Sequence, residues 1–169
     1  MSSNTALLQA AANLAPDGLE VRVYEQLGDL PPFNPDLDDD QPPAVVAQFR
    51  LELEASHAVL ISSPEYAHGV PGVLKNALDW IVGSGEIVLK PVALLNASPR
   101  ATHAQASLAE TLRVMSADLI AEASIAVPLG GRRLDAAGIV ADMELASVIR
   151  SALASLAEAV RTRRSPIQT

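Results

Sequence analysis

A short loop in this chain carries the residue types and the spacing of a ligand-binding site. The apolar run at residues 58–61 predicts a buried strand, and residues 63–69 follow it as a loop rich in proline, glycine and polar side chains. A helical pattern of apolar residues begins at residue 74, soon after the loop. In open α/β sheets, ligands bind in the crevice outside the carboxyl ends of the strands. The segment therefore predicts a binding site as well as a fold.

The residue types within this loop allow two interpretations. Pro64 fixes the backbone, and Gly69 permits conformations and close approaches that are denied to other residues. Three further side chains line the edge of the predicted site: Glu65, Tyr66 and His68. The alternative is that the loop is only a turn, that Tyr66 covers the core and that His68 is a solvated loop residue.

Other chemistry is excluded or weakly indicated. The chain has no cysteine, which excludes disulfides, thiolate metal sites and a cysteine nucleophile, so any redox chemistry must come from a cofactor. The acidic run at residues 36–40 lacks the spacing of a calcium-binding EF-hand, and it predicts a solvated loop and no metal site. No Gly-x-Gly-x-x-Gly motif follows a predicted strand, so the sequence predicts no dedicated dinucleotide-binding half-domain.

Alternating elements position this loop. Apolar residues at helical spacing predict helices around residues 6–14, 44–56, 74–81, 108–115 and 145–160. Short apolar or alternating runs predict strands at residues 19–24, 58–61, 92–95 and 124–127. The loop at residues 31–43 holds five prolines and four aspartates, which predicts no regular structure. Short strands between amphipathic helices indicate a doubly wound, mostly parallel α/β sheet, formed by one domain over residues 1–169.

One element is missing from this pattern. The first predicted helix has no strand before it, whereas a doubly wound sheet normally begins with a strand that lies centrally. Removal of one central strand leaves a gap of roughly 9 to 10 Å, because neighbouring strands are about 4.8 Å apart. The remaining strands cannot form hydrogen bonds across such a gap.

Composition limits the partners. The formal net charge of −8 opposes nucleic-acid binding, because that binding depends on neutralisation of phosphates by lysine and arginine. No apolar run approaches the roughly 18 residues of a membrane span, and the N-terminus lacks the order of charges and apolar residues typical of a signal peptide. The sequence therefore predicts a cytoplasmic protein without nucleic-acid or membrane partners.

Three segments of the chain resemble the NAD(P)H-dependent FMN reductases. They are residues 63–80, with Pro-Glu-Tyr, Pro-Gly, Leu-Lys-Asn and Asp-Trp in a specific order, residues 30–34 upstream and residues 96–100 downstream. These flavodoxin-like flavoproteins include quinone, chromate and azo-dye reductases. The resemblance covers essentially the whole chain. It implies a five-stranded parallel sheet of order 2-1-3-4-5, non-covalent FMN at the strand ends, and NADPH or NADH as co-substrate. A small-molecule electron acceptor and a homodimer or homotetramer, packed through the helix at residues 75–80, are also implied.

The resemblance also implies which residues hold FMN. The loop contributes Pro64, Glu65, Tyr66, Ala67, His68 and Gly69, although relatives usually carry asparagine where this chain has Ala67. Ser2 and Asn4 are expected at the flavin phosphate; the alternative is an ordinary helix N-cap at Ser3 or Asn4. Ser98 is expected to face the flavin, and Arg100 to offset negative charge on the reduced ring. Arg100 has two other possible roles: to cap the next helix or to contact another subunit.

The resemblance accounts for the missing strand as well. Family members begin with a strand and a phosphate loop whose last residues look like Ser2, Ser3 and Asn4 of this chain. We therefore expect an upstream extension to supply the first strand and most of the phosphate loop. The function that follows is FMN-dependent NAD(P)H oxidation with reduction of quinones, free flavin or similar acceptors, with no protein side chain acting as catalyst. The alternative is a degenerate or truncated member that binds flavin weakly and serves as a non-catalytic or electron-carrier oligomer.

Overall fold

The computed structural model describes residues 2–129 and 131–164 as a sheet with helices on both faces. The helices are α1 (Ser3–Asn13), α2 (Ala44–Ala55), α3 (Gly72–Val82), α4 (Thr102–Val114), α5 (Ala136–Ala141) and α6 (Met143–Arg164). The strands are β1 (Val59–Ile61), β2 (Pro91–Asn96), β3 (Asp118–Leu119) and β4 (Ile125–Ala126). The predicted positions of α1 to α4 and of three of the four strands are thereby confirmed.

β2 organises the sheet. It pairs in parallel with β1 on one edge, and β3 and β4 pair in parallel with its two ends. All six residues of β2 are buried, as expected for a strand covered on both faces. The predicted mostly parallel α/β sheet is confirmed. The five-stranded order 2-1-3-4-5 is not seen in the described part of the chain, which holds the order β1-β2-β3 with β4 beside β2.

Successive residues of β2 pack on opposite faces of the sheet, because side chains alternate along a strand. Leu95 belongs to a core formed mainly with α1, α5 and α6. Val92 and Leu94 belong to a second core formed mainly with α2, α3 and α4. The two cores fix the helices that begin at the carboxyl ends of the strands. Of the described helices, none is long and apolar enough to cross a bilayer.

The predicted edge strand at residues 19–24 is wrong. This segment has no regular secondary structure, and within the described residues β1 pairs only with β2. An edge strand needs a neighbour, and no strand is described before α1 to serve as one. The side chains still pack. Leu19 and Val21 lie against the core formed mainly with α1, α5 and α6, and the ring centroids of Tyr24 and Phe49 are 5.2 Å apart. The segment is thus held by its side chains and not by a sheet ladder.

The last predicted helix is confirmed as α6, and two short helical elements were not predicted. The last helix is preceded by a separate short helix, α5, because Asp142 interrupts the chain and its Oδ1 accepts hydrogen bonds from the backbone N–H groups of Glu144 and Leu145. The proline-rich loop contains one helical turn, Pro35–Leu37, in which the Asn34 side chain accepts from the backbone of Asp36 at 3.0 Å. Both interruptions depend on side chains that cap their own backbone.

Two side chains of helix α3, which was predicted to pack a subunit interface, contact the interior of the chain. Trp80 is 0% exposed, and its Nε1 donates to the carbonyl of Pro31 at 2.8 Å. Asn76 accepts from the backbone N–H of Phe33 at 2.7 Å and donates to the same Pro31 carbonyl at 2.9 Å. These two side chains therefore anchor the interior, and a subunit interface through the helix at residues 75–80 stays a prediction. Lys75 and Asp79, which pair with each other, lie on the outer face.

Candidate functional site

The structure brings three of the predicted segments to the carboxyl edge of the sheet. The register pairs Ile61 with Leu94, so the loops that leave β1 and β2 start side by side. The N-terminus of α1 lies at the same edge, because the hydroxyl of Ser62 donates to Oδ1 of Asn4 at 2.8 Å. Residues far apart in sequence thus form one crevice, as the position of the loops in an α/β sheet predicts.

A tight turn forms the tip of the loop after β1. The backbone N–H of Tyr66 donates to the carbonyl of Gly69 at 3.2 Å, and the N–H of Gly69 donates back at 2.9 Å. The two residues between them, Ala67 and His68, have φ values of 49° and 62°. Two consecutive positive φ values are typical of a type I′ turn, which favours asparagine and glycine. Left-handed backbone here belongs to Ala67 and His68, so the prediction that Gly69 supplies it is wrong.

Tyr66 extends from this turn into solvent. Its side chain is 68% exposed, so the alternative in which Tyr66 covers the core is excluded. An exposed aromatic ring is available to stack on a flat ligand. The prediction that Tyr66 edges a site is consistent with this position.

Glu65 connects the loop to helix α4. Its Oε2 accepts from the backbone N–H of Ala104 at 2.8 Å, and its Oε1 lies 3.0 Å from Nδ1 of His68. The hydrogen bond from Ala104 is the main reason why the pKa of Glu65 lies below its ordinary value, and it outweighs the opposing effect of burial. The rings of His68 and His103 are in contact edge to face, with centroids 4.2 Å apart. The carboxylate of Glu65 is therefore directed at α4, which leaves its backbone for any ligand.

The lowered pKa of Glu65 predicts a pH dependence of stability. Because the folded pKa lies below the ordinary value of 4.5, Glu65 contributes stability above that value, and this contribution is lost as the pH falls through the folded pKa. We expect Glu65→Gln to be less stable than the native protein at pH 6, with a difference that shrinks toward pH 3. Urea unfolding across that range measures it. Glu110→Gln, at an exposed residue of α4, is the control, and an equal pH effect in both variants would contradict the assignment.

Ser2 is the N-cap residue of helix α1, in place of the predicted Ser3 or Asn4. Its hydroxyl makes no capping hydrogen bond. The backbone N–H groups of the first turn have no partner within a helix, and they favour an anion together with the helix dipole. Asn4 points from this turn toward Ser62. The end of α1 is thus available to a phosphate group.

The loop after β2 is held by a residue that sequence analysis missed. Asn96 is 7% exposed; its Oδ1 accepts from the backbone of Ser98 at 2.9 Å, and its Nδ2 donates to the carbonyl of Ala101 at 3.0 Å. A polar residue at the end of an otherwise apolar strand was the available signal. The Arg100 side chain is exposed, and it makes no hydrogen bond or ion pair with any described residue. This leaves its guanidinium group available to a ligand.

The two ends of FMN find matching groups in this crevice. The open first turn of α1, with Ser2 and Asn4, offers donors for a phosphate, and Ala67 and His68, between the paired Tyr66 and Gly69, offer backbone groups to a flat ring. Arg100 adds a positive charge at the loop after β2. The residues present therefore fit this cofactor.

This geometry defines a class of protein, the flavodoxin-like α/β proteins with a ligand crevice at the carboxyl ends of parallel strands. The sequence profile of one family within it, described as NADPH-dependent FMN reductase, matches residues 1–130. The chain belongs to this family. Its fold is also that of FerB, a flavoenzyme NAD(P)H:(acceptor) oxidoreductase from Paracoccus denitrificans, with a TM-score of 0.77 and 29% identity over 95% of this chain and 91% of that one.

Individual relatives are similar over different lengths. An NAD(P)H-dependent FMN reductase from Pseudomonas aeruginosa is 32% identical over 168 residues, which cover 96% of this chain and 90% of that protein. A quinone reductase from Pseudomonas putida is 42% identical over 105 residues, which cover 59% of this chain and 55% of the relative. The second match therefore spans little more than half the length of that quinone reductase.

Proposed function

We propose that this chain is an NAD(P)H-dependent FMN reductase that passes electrons to a quinone, to free flavin or to a similar small acceptor. The observation that carries the proposal is the meeting of the α1 N-terminus with the loops after β1 and β2, marked by the Ser62–Asn4 hydrogen bond. The family and the names of the relatives from Pseudomonas support the same reaction. Because those relatives are named reductases, the alternative of a degenerate, non-catalytic member is not favoured.

The proposed roles divide the crevice between the two ends of the cofactor. Ser2, Asn4 and the first turn of α1 bind the phosphate, where the backbone N–H groups and the helix dipole favour negative charge. Residues 64–69 bind the flavin ring with backbone groups, and Pro64 and the turn at Ala67 and His68 fix their direction.

The remaining roles concern the ring and its reaction partners. Ser98 faces the ring from the loop after β2, and Arg100 offsets the negative charge that develops on reduction. A bound FMN would supply the redox chemistry, which is hydride transfer from NADPH or NADH followed by reduction of the acceptor in a ping-pong cycle. The protein then contributes placement, electrostatics and access for two partners in turn, and no side chain needs to act as a general base.

Titration with FMN tests the binding step, and turnover tests the reaction. We expect FMN fluorescence to be quenched on addition of the protein, and NADPH or NADH to be oxidised over many cycles when benzoquinone is present. A single turnover per bound flavin would indicate an electron carrier. No quenching at any protein concentration would overturn the assignment.

We also propose that the outer face of α3 forms the interface of a homodimer or homotetramer. A groove of about 270 Å³ lies between α3 and α4, and it is lined in part by Lys75, Asp79, Val82 and Val114. Val82 and Val114 are exposed apolar residues at this groove, which a second copy would cover. Sedimentation equilibrium of the native protein and of Val114→Glu measures it, and we expect dissociation only in the variant.

Two further expectations are part of this proposal. Residues 1–169 form one domain, which would unfold in a single transition, and the protein resides in the cytoplasm. Calorimetry tests the first and cell fractionation tests the second.

A further inference from the structure

The tip of the loop after β1 holds two residues in a backbone conformation that their residue types disfavour. Ala67 and His68 both have left-handed backbone, although neither is glycine or asparagine. Left-handed backbone is unfavourable for a residue with a Cβ atom, because the Cβ approaches the following carbonyl oxygen. Such a conformation persists only where surrounding contacts hold it. Contacts from outside the turn are therefore expected to hold it.

Two contacts from outside the turn converge on His68. Its Nδ1 lies 3.0 Å from Oε1 of Glu65, and its ring lies edge to face against that of His103 in the first turn of α4. Glu65 is itself fixed to α4 through the backbone N–H of Ala104. The charged or titratable groups that face Glu65 are His68 from its own loop and His103 from α4. The turn is thus fastened at one residue to the start of a helix that follows a different strand.

We propose that Glu65 and His103 act as positioning residues, which form a clasp on His68 and hold the strained turn in the conformation that receives the flavin ring. This inference rests on the proposed function for its ligand, but the clasp itself is a property of the free protein. The clasp joins the loops after β1 and β2 into one unit. Its particular consequence is that His103, which does not belong to the turn, controls affinity for the ring through the backbone at Ala67.

A mutant cycle tests the clasp through rescue. His103→Ala removes the ring contact, and we expect FMN affinity, measured by fluorescence quenching, to fall about threefold to tenfold. Ala67→Gly removes the penalty for left-handed backbone at one of the two residues, so the turn depends less on the clasp. We expect His103→Ala to lower FMN affinity by a smaller factor in the Ala67→Gly background than in the native background.

Ser116 provides a matched control for the glycine. It also has left-handed backbone, with a φ of 60°, but it lies beyond the opposite end of α4 from His103. We therefore expect Ser116→Gly to leave the affinity loss of His103→Ala unchanged. His57→Ala, at an exposed histidine outside the site, controls for the loss of an imidazole.

Two outcomes would overturn the clasp: unchanged affinity in His103→Ala, or losses that Ala67→Gly does not reduce. The same cycle is run without FMN by urea unfolding, where we expect His103→Ala to lower the midpoint less in the Ala67→Gly background than in the native background. If the native protein does not bind FMN, the proposed function fails, while the unfolding cycle still decides whether the clasp exists.

Discussion

Replacement of Trp80 by alanine is expected to lower the free energy of unfolding by about 3–5 kcal/mol, the range for truncation of a large aromatic side chain in a core. Trp80 is 0% exposed, its ring packs edge to face against that of Phe33, and its Nε1 donates to the carbonyl of Pro31. The alanine variant therefore loses both a filled core position and the attachment of the start of the proline-rich loop. Urea unfolding followed by circular dichroism measures the loss.

Trp80→Phe separates the two contributions. It keeps an apolar ring but leaves the Pro31 carbonyl with one donor fewer, since Asn76 still donates to it. We expect a loss of about 1–2 kcal/mol for this variant. Val73→Ala, on the same helix at a side chain that is 51% exposed and does not line the groove of the proposed interface, is expected to change stability by less than about 0.5 kcal/mol. A loss in Trp80→Ala that depended on protein concentration would instead assign Trp80 to a subunit contact.

For Trp80, the sequence predicts the helix but not the partner of the indole N–H group. Its helix and its apolar neighbours follow from the period of the pattern, and α3 is found where the pattern places it. The periodicity does not specify what an aromatic residue with one polar atom will contact. That partner, the Pro31 carbonyl, lies 49 residues away in sequence and is selected only by tertiary packing.

The same distinction applies to the strands. β1 and β2 are predictable because each is a short apolar run that is buried among helices. The alternation at residues 19–24 is as regular, but a strand at an edge exists only through its neighbour, and none is described there. β3 and β4 each have two residues, but β4 lies in the apolar run at residues 125–127, whereas β3 begins with the charged Asp118.

In the candidate site, the positions of the loops were predictable and their internal geometry was not. A loop that follows a buried strand must lie at the carboxyl edge of the sheet, so residues 63–69 and Ser98 are placed by topology alone. The left-handed backbone of Ala67 is contrary to its residue type, and Glu65 caps a helix that begins 37 residues later. Both depend on contacts between segments that are distant in sequence.

Ser2→Asp is expected to weaken FMN binding, while the free energy of unfolding stays the same or rises. Aspartate is as good an N-cap as serine, and a negative charge at a helix N-terminus adds about 0.3–1 kcal/mol, so the protein should be equally or more stable. If the first turn of α1 binds the phosphate, the same carboxylate repels it. Even at the dielectric constant of water, a charge about 6 Å from a dianion is repelled by about 1.4 kcal/mol, or about tenfold in affinity.

Riboflavin makes the test specific, because it carries the same ring without a phosphate. We expect Ser2→Asp to weaken FMN by about tenfold or more at low salt, to leave riboflavin affinity unchanged, and to approach the native FMN affinity as salt screens the repulsion. Equal affinities of native and variant protein for both ligands would reduce Ser2 to an ordinary helix start. Equal loss of both ligands would mean that the substitution disturbs the ring site, which the Asn4–Ser62 hydrogen bond joins to the α1 N-terminus. Only selective loss of FMN places the phosphate at α1, and with it the orientation of the whole cofactor across the α1 N-terminus and the loops after β1 and β2.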